Sequence, residues 1–307
     1  MTHVDIIAEI GSNHGGDLDN AKRYIDASAR AGADVVKFQT LTRDGLIARF
    51  VRDPENGNVV ENPKYAAFAN AGLPDDWHAP LKACAEDNGV EFMSTPFSLD
   101  AVELMESIGV KRYKIASGDM TFTPLLERLG RTGKPVLLST GAAYLDEVED
   151  AVATLKRAGC HDITVLHCTA SYPPDWDDLN LSAITTLKTA LGRPVGLSDH
   201  SAGHTAPIAA AALGAVAIEK HVTFDRGLDG PDHPFAMEFD ELAAMIADIR
   251  ILERALGDGE KKPAASEINR RRNLRRGRYD AATGHPATDG DVWLRPQWEP
   301  DERAGKD

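Results

Sequence analysis

Pro194-Val195-Gly196-Leu197-Ser198-Asp199-His200 and Ala215-Val216-Ala217-Ile218-Glu219-Lys220-His221 are two strand-like runs that each end in histidine, 21 residues apart, with an Ala-rich, helix-like stretch between them. A strand, a short helix and a second parallel strand bring the two strand ends together, so both imidazoles can face one opening at the carboxyl edge of a sheet. Two neutral imidazoles hold a divalent transition metal and leave positions open for water or substrate oxygens. Polar triplets close both strands on the same side, which makes the pair more informative than either histidine alone.

Outward from this unit, apolar runs rich in β-branched residues alternate with helix-like segments eight times. The runs begin near Asp5, Asp34, Glu91, Arg112, Pro135, Ile163, Pro194 and Ala215. Between them, stretches such as Leu18 to Ala31, Leu99 to Ile108, Leu145 to Ala158 and Leu179 to Leu191 carry apolar residues at helical spacing. Several helices end in glycine, at Gly32, Gly109, Gly133, Gly159, Gly192 and Gly214. Strands with little alternation are buried on both faces. The fold class expected is therefore α/β, a closed TIM (β/α)8 barrel. An open doubly wound sheet is the competitor, but Gly11-Ser12-Asn13-His14-Gly15-Gly16 lacks the glycine spacing such a sheet places after its first strand.

The 307 residues, 42% apolar and 27% charged, suffice for one large domain and an appendage. A formal charge of −14 excludes a nucleic-acid surface over most of the chain. No apolar run reaches bilayer length, and Met1-Thr2-His3-Val4-Asp5 leads into a strand without a basic, then apolar, leader. The chain reads as cytoplasmic, without membrane association. Cys84, Cys160 and Cys168 are odd in number and far apart, against a disulfide framework or a cysteine zinc site. Cys168 reads as a small buried hydrophobe that could line a pocket. Six arginines between Arg270 and Arg278 read as a solvated linker or a salt-bridged subunit contact rather than an anion site. An acidic protein with an acidic substrate must gather cations in its pocket, a role open to Lys37, Lys114 and Lys220.

In such a barrel the chemistry collects at the carboxyl ends of the strands. Those ends carry Glu9, Asn13 and His14; Lys37 and Gln39; Ser94 and Thr95; Lys114, Ser117 and Asp119; Ser139, Thr140 and Gly141; His167, Thr169, Ser171 and Tyr172; and the two histidine triplets. Polar groups in buried strands cost free energy unless partnered, so a purely structural barrel would not concentrate them at one rim. Lys37, Lys114, Ser117, Ser139 and Gly141 form a cradle for phosphate, with ammonium, hydroxyl and backbone N–H donors converging. Phosphate, metal and a Glu/Asp/Gln set fit the condensation of a phosphorylated enol with an aldehyde sugar.

Nine segments, Ile7-Ala8-Glu9-Ile10-Gly11-Ser12-Asn13-His14, Lys37-Phe38-Gln39-Thr40, Ser94-Thr95-Pro96-Phe97, Lys114-Ile115-Ala116-Ser117-Gly118-Asp119, Leu138-Ser139-Thr140-Gly141, His167-Cys168-Thr169, Ser198-Asp199-His200, Glu219-Lys220-His221 and Gly230-Pro231-Asp232-His233, together resemble the N-acetylneuraminate (sialic acid) synthase family. The match runs in order over nearly the whole chain. The resemblance implies a phosphoenolpyruvate-dependent transferase that forms a carbon–carbon bond with an N-acyl-mannosamine-type aldose and yields a nonulosonic 2-keto acid with release of phosphate. It implies that His200 and His221 bind Mn²⁺ or Mg²⁺, and that Lys37, Thr95, Lys114, Ser117, Ser139, Gly141 and Ser198 contact phosphoenolpyruvate. Glu9, Gln39, Asp119, Tyr172 and Asp232 would hold the sugar or orient water and metal. Which of these moves a proton is open. Ala170 departs from an asparagine found in parts of the family.

The family also carries a small C-terminal antifreeze-like β domain that reaches the partner subunit's active site. The resemblance divides the chain into a barrel over 1–257, a linker over 258–276 and a shortened antifreeze-like segment over 277–307. That segment has a short strand around Val292-Trp293-Leu294, and Arg295 stands before Pro296 where the family places a sugar-contacting arginine. A homodimer with exchanged arms would deliver Arg295 to the acceptor; a frayed tail is the competing reading. A metal-dependent aldolase or sugar-phosphate isomerase on the same barrel is the alternative function, and a non-catalytic barrel a third. The acceptor is open between N-acetylmannosamine, its 6-phosphate and a diacetamido-trideoxy sugar.

Overall fold

A computed structural model of the chain describes residues 3–68 and 71–298. Two compact units divide it, Met1–Leu256 and Gly257–Asp307. Residues 299–307, the end of the expected antifreeze-like segment, lie outside the described residues.

The first unit contains eight parallel strands: β1 (Asp5–Glu9), β2 (Val35–Thr40), β3 (Glu91–Pro96), β4 (Tyr113–Ile115), β5 (Val136–Ser139), β6 (Ile163–Cys168), β7 (Val195–Asp199) and β8 (Ala217–Thr223). They pair in the order β3-β2-β1-β8-β7-β6-β5-β4, so the first strand meets the last and the sheet curls into a barrel. β3 and β4 lie side by side but share no hydrogen-bonded ladder, leaving one open seam. Helices α1 (Leu18–Ala31), α2 (His78–Asp87), α3 (Leu99–Ile108), α4 (Thr123–Thr132), α5 (Leu145–Ala158), α6 (Ala183–Leu191), α7 (Thr205–Ala212) and α8 (Phe239–Ala255) complete the βα alternation. Among the described residues no helix is long and apolar enough to cross a membrane.

Local chemistry explains the boundaries. Asp17 caps α1 by accepting from the Asn20 N–H at 2.8 Å, and Ser98 caps α3 through the Ala101 N–H at 3.1 Å. Gly32, at φ 95°, closes α1 in the left-handed conformation that disfavours side chains. The helix expected from Leu179 begins only at Ala183, because Asn180 sits at φ 41° after a 3₁₀ turn over Trp176–Asp178. Between β2 and α2 the chain makes an excursion that the periodicity does not reveal, including an antiparallel hairpin of Phe50–Arg52 with Val59–Glu61.

Inside the barrel, Ile7, Val35, Met93, Leu137, Leu166 and Ala217 form an apolar layer toward the amino ends of the strands. Gly196 belongs to this constriction: a Cβ there would lie 2.5 Å from the Ala217 carbonyl oxygen and 2.7 Å from Leu166 Cδ2. The larger core lies between strands and helices. This floor closes the barrel below the carboxyl-end residues.

In the second unit, α9 (Ala265–Leu274) occupies part of the expected linker and precedes an antiparallel pair, Gly277–Tyr279 with Val292–Leu294. The arginine run is not simply solvated. Arg272 donates to the Gln297 carbonyl at 2.9 Å, Arg276 to the Trp293 carbonyl at 2.8 Å and Arg278 to the Gly290 carbonyl at 2.8 Å. Tyr279 and Trp298 add side-chain bonds to the carbonyls of Pro296 and Arg278. In a unit with so little core, guanidinium groups satisfy carbonyls that a longer sheet would have paired.

Candidate functional site

Strand alternation decides which rim residues meet. Inward positions recur every second residue, so Ile7 and Glu9 point into the barrel, as do Val35, Lys37 and Gln39, and Ala217, Glu219 and His221. A pocket of about 370 Å³ stands above the apolar floor, and its walls include twelve of the fifteen residues expected at the site: Glu9, Lys37, Gln39, Thr95, Lys114, Ser117, Ser139, Gly141, Tyr172, Ser198, His200 and His221.

One side of the pocket is a charge network. Lys37 Nζ lies 2.7 Å from Glu9 Oε2, 3.7 Å from Glu219 Oε1 and 3.2 Å from Thr95 Oγ1. Lys114 Nζ approaches the same Glu219 Oε1 at 3.4 Å. Burial opposes charge on both lysines. At Lys37 the Glu219 and Glu9 carboxylates more than offset it and raise the pKa, whereas at Lys114 burial prevails and lowers it. Burial likewise disfavours the Glu219 carboxylate, but the two ammonium groups outweigh it and hold its pKa down. Gln39 donates to Glu9 Oε1 at 2.7 Å, Ser198 to Glu219 Oε1 at 3.0 Å, and the Gly141 N–H to Ser117 Oγ at 2.8 Å. Ser139 Oγ is buried with no hydrogen-bond partner among the described residues. An unsatisfied hydroxyl of this kind can donate to an anion.

The opposite side is imidazole. His200 and His221 face each other with ring centroids 5.3 Å apart, and Tyr172 covers His200 at 4.3 Å. Burial, with a smaller contribution from His221, pushes the His200 pKa down to about 3, so the ring is neutral and able to donate a lone pair at neutral pH. His221 Nδ1 is buried without a hydrogen-bond partner among the described residues, 3.9 Å from Asp232 Oδ2. Asp232 is fixed by Ser12, whose Oγ donates to Oδ2 at 2.9 Å. Gly11 leaves this corner open: at φ +53°, its missing Cβ would lie 2.8 Å from Asp232 Oδ2 and 3.4 Å from His221 Cε1. Neutral imidazoles, an unpartnered ring nitrogen and a nearby carboxylate fit a divalent cation. The three-donor His/carboxylate cluster within 4.8 Å among the described residues is elsewhere: His3, Asp5 and Asp34 at the amino edge of the strands. There Arg112 binds Asp5 and Arg250 binds Asp34, so the carboxylates are already neutralised.

Three expected residues lie off the pocket wall. Asp232 stands behind Gly11 beside His221. Asp119 is half-buried after β4, its Oδ2 unpartnered among the described residues, and burial raises its pKa to about 6. Arg295 belongs to the second unit.

Lys220 is a correction. Expected as a pocket cation, it alternates outward between Glu219 and His221 and pairs with Asp199 at 2.5 Å. Much of the polar rim is likewise structural: Ser94 and His78 bond Thr40, Asn13 bonds the Val222 carbonyl, and His167 bonds the Leu179 carbonyl. Sequence reasoning missed Glu219 as a site residue, although it stands two positions before His221 and must share its face. It also missed Leu46 and Phe68, which reach the pocket from the excursion. Cys168 lines the pocket as a neutral thiol, its pKa raised by burial, 4.0 Å from His200 Nδ1.

Comparison with known proteins gives this geometry a family. The N,N'-diacetyllegionaminic acid synthase of Legionella pneumophila is 39% identical over 302 residues, covering 95% of this chain and 85% of the relative. The pseudaminic acid synthase of Helicobacter pylori is 36% identical, covering 95% and 88%. The crystal structure of the N-acetylneuraminic acid (sialic acid) synthetase of Leptospira borgpetersenii serovar Hardjo-bovis in complex with citrate superposes with a TM-score of 0.78 at 38% identity, over 87% of this chain and 90% of that one. A family profile covers residues 24–261, most of the barrel and its lysine- and histidine-bearing strand ends from β2 onward, and with it the chain belongs to the NeuB family.

Proposed function

We propose that the protein condenses phosphoenolpyruvate with an open-chain N-acyl-mannosamine-type aldose, giving a sialic-acid-like nonulosonic 2-keto acid and inorganic phosphate. The observation that carries this reading is the placement of Lys37 and Lys114 on one shared carboxylate, Glu219, in the same pocket as the His200–His221 pair. An incoming dianion competes with Glu219 for both ammonium groups. Thr95, Ser117, Ser139 and Ser198 supply hydroxyls around them, and the Gly141 N–H joins them once it leaves Ser117.

A divalent cation, Mn²⁺ or Mg²⁺, held by His200 and His221 would supply Lewis acidity toward the aldehyde oxygen. The C3 carbon of phosphoenolpyruvate then bonds to the aldehyde carbon, and the aldehyde oxygen takes a proton. Water adds at C2, and the bond from C2 to the phosphate oxygen breaks, releasing phosphate and leaving the ketone. Glu9, Gln39, Tyr172 and Asp232 orient the acceptor and the water. Asp119, with its raised pKa, is suited to hold or release a proton near neutral pH. The shortened antifreeze-like segment, 277–307, delivers Arg295 to the acceptor across a homodimer. Three free cysteines suit a reducing cytoplasm as the place of reaction.

Incubation with phosphoenolpyruvate, Mn²⁺ and a panel of aldoses tests the reading. Phosphate release that requires both substrates, with a product mass equal to their sum plus water minus phosphoric acid, is expected. Failure of every aldose to release phosphate overturns it. Turnover of a sugar phosphate without consumption of phosphoenolpyruvate would instead identify the aldolase or isomerase class.

A further inference from the structure

We propose that the buried Asp199–Lys220 ion pair, outside the pocket, sets the spacing of His200 and His221 and so acts as a positioning device for the cation they hold. The inference rests on the cation reading of the histidine pair. Neither residue lines the pocket, and the proposed condensation uses neither.

The geometry is specific. In the β7–β8 ladder Lys220 pairs with Asp199, and the register ends there, one residue before His200. Beyond that point, no ladder fixes His200 to β8. The side chains replace it. Lys220 Nζ lies 2.5 Å from Asp199 Oδ2, and the two side chains are 2% and 0% exposed. Asp199 also accepts from the Ser201 N–H and Ser201 Oγ, both at 3.0 Å. Lys220 donates in addition to the Ser201 carbonyl. The residues on both sides of His200 are thus tied to one ammonium group, and the residue carrying that group is the chain neighbour of His221.

Stability alone is a poor reason for this arrangement. Two buried charges gain little over an apolar pair of the same volume, and fixing register is the better-attested use of such pairs. Groups that orient metal-binding side chains from behind typically change metal affinity tenfold or more when removed.

The test measures Mn²⁺ binding by calorimetry and by electron paramagnetic resonance on full-length wild type, Lys220→Met, the double variant D199N/K220M and a His200→Ala control. Circular dichroism and melting temperature are followed in parallel. Lys220→Met leaves a buried carboxylate unpaired and lowers the melting temperature. The double variant removes both charges and is expected to fold with a melting temperature close to wild type. Both variants, assayed where they are folded, are expected to bind Mn²⁺ about tenfold more weakly or worse. A folded double variant that binds within twofold of wild type overturns the inference and makes the pair structural only. Wild-type protein that binds no better than His200→Ala overturns the cation reading and the inference together.

Discussion

Glu9 and Lys37 face each other across the β1–β2 ladder, with their Cα atoms in register and Lys37 Nζ 2.7 Å from Glu9 Oε2. Both side chains are almost wholly buried, so each charge depends on the other. Lys37→Met leaves Glu9 and Glu219 with only Lys114 opposite. A loss of about 3–5 kcal/mol in urea unfolding is expected. The Michaelis constant for phosphoenolpyruvate should rise at least tenfold in phosphate-release assays. A loss below about 1 kcal/mol with unchanged saturation would place Lys37 outside the anion site.

Gly11→Ala tests the corner beside His221. Strain at φ +53° and the 2.8 Å approach to Asp232 both oppose the new methyl group. Destabilisation of about 1–2 kcal/mol is expected. Because the carboxylate must move, Mn²⁺ should bind more weakly in calorimetry. Unaltered metal affinity would show that Asp232 has no part in holding the cation.

His14 predicts a pH dependence of stability. Its side chain is fully buried, and burial lowers its pKa from 6.5 to about 4. The unfolded chain therefore binds a proton that the folded chain refuses between those values. Its contribution is fully present above pH 6.5 and is lost as pH falls toward 4, by up to about 3 kcal/mol. His78, His200 and His233 are shifted in the same direction by burial. His14→Asn, which cannot titrate, should flatten part of the slope in denaturation series at pH 7.5, 6 and 5. An identical slope would count against the assignment.

Asp119 has the opposite sign. Its folded pKa, raised to about 6, means that the folded state disfavours the charge, so stability is gained as pH falls through 6 toward 3.8. Asp119→Asn should stabilise the protein at pH 8 by about 1 kcal/mol, discounted for its partial exposure, and by less at pH 5. If Asp119 handles a proton, the same variant loses turnover while becoming more stable. Full turnover in the variant would exclude that role.

Arg295→Ala tests the acceptor arm. A rise of about tenfold in the Michaelis constant for the aldose, with that for phosphoenolpyruvate unchanged, is expected from the loss of one charged hydrogen-bonding group. No change in either constant would support the frayed-tail reading.

The barrel was legible because each strand ends where polar residues begin and most helices stop at glycine. The same ends placed Glu9, Lys37 and Gln39 at one rim. The outward half of the rim was not legible in the same way. Lys220 and Glu219 are adjacent, equally polar and equally buried, and only the phase of one strand separates a pocket wall from a structural ion pair. The excursion after β2 escaped notice because its hairpin strands are three residues each and largely exposed, too short to impose a period. The roles of Arg272, Arg276 and Arg278 were hidden for another reason: their partners are backbone carbonyls, which leave no trace in composition.

The unladdered seam beside β4 has a mechanical meaning. Lys114 sits on a three-residue stave fastened along one edge only, to β5. Its opposite edge lacks the cross-links that hold Lys37 on both flanks. In the proposed condensation the phosphate grip would then join unequal anchors: Lys37 on a strand laddered along both edges and Lys114 on one laddered along a single edge.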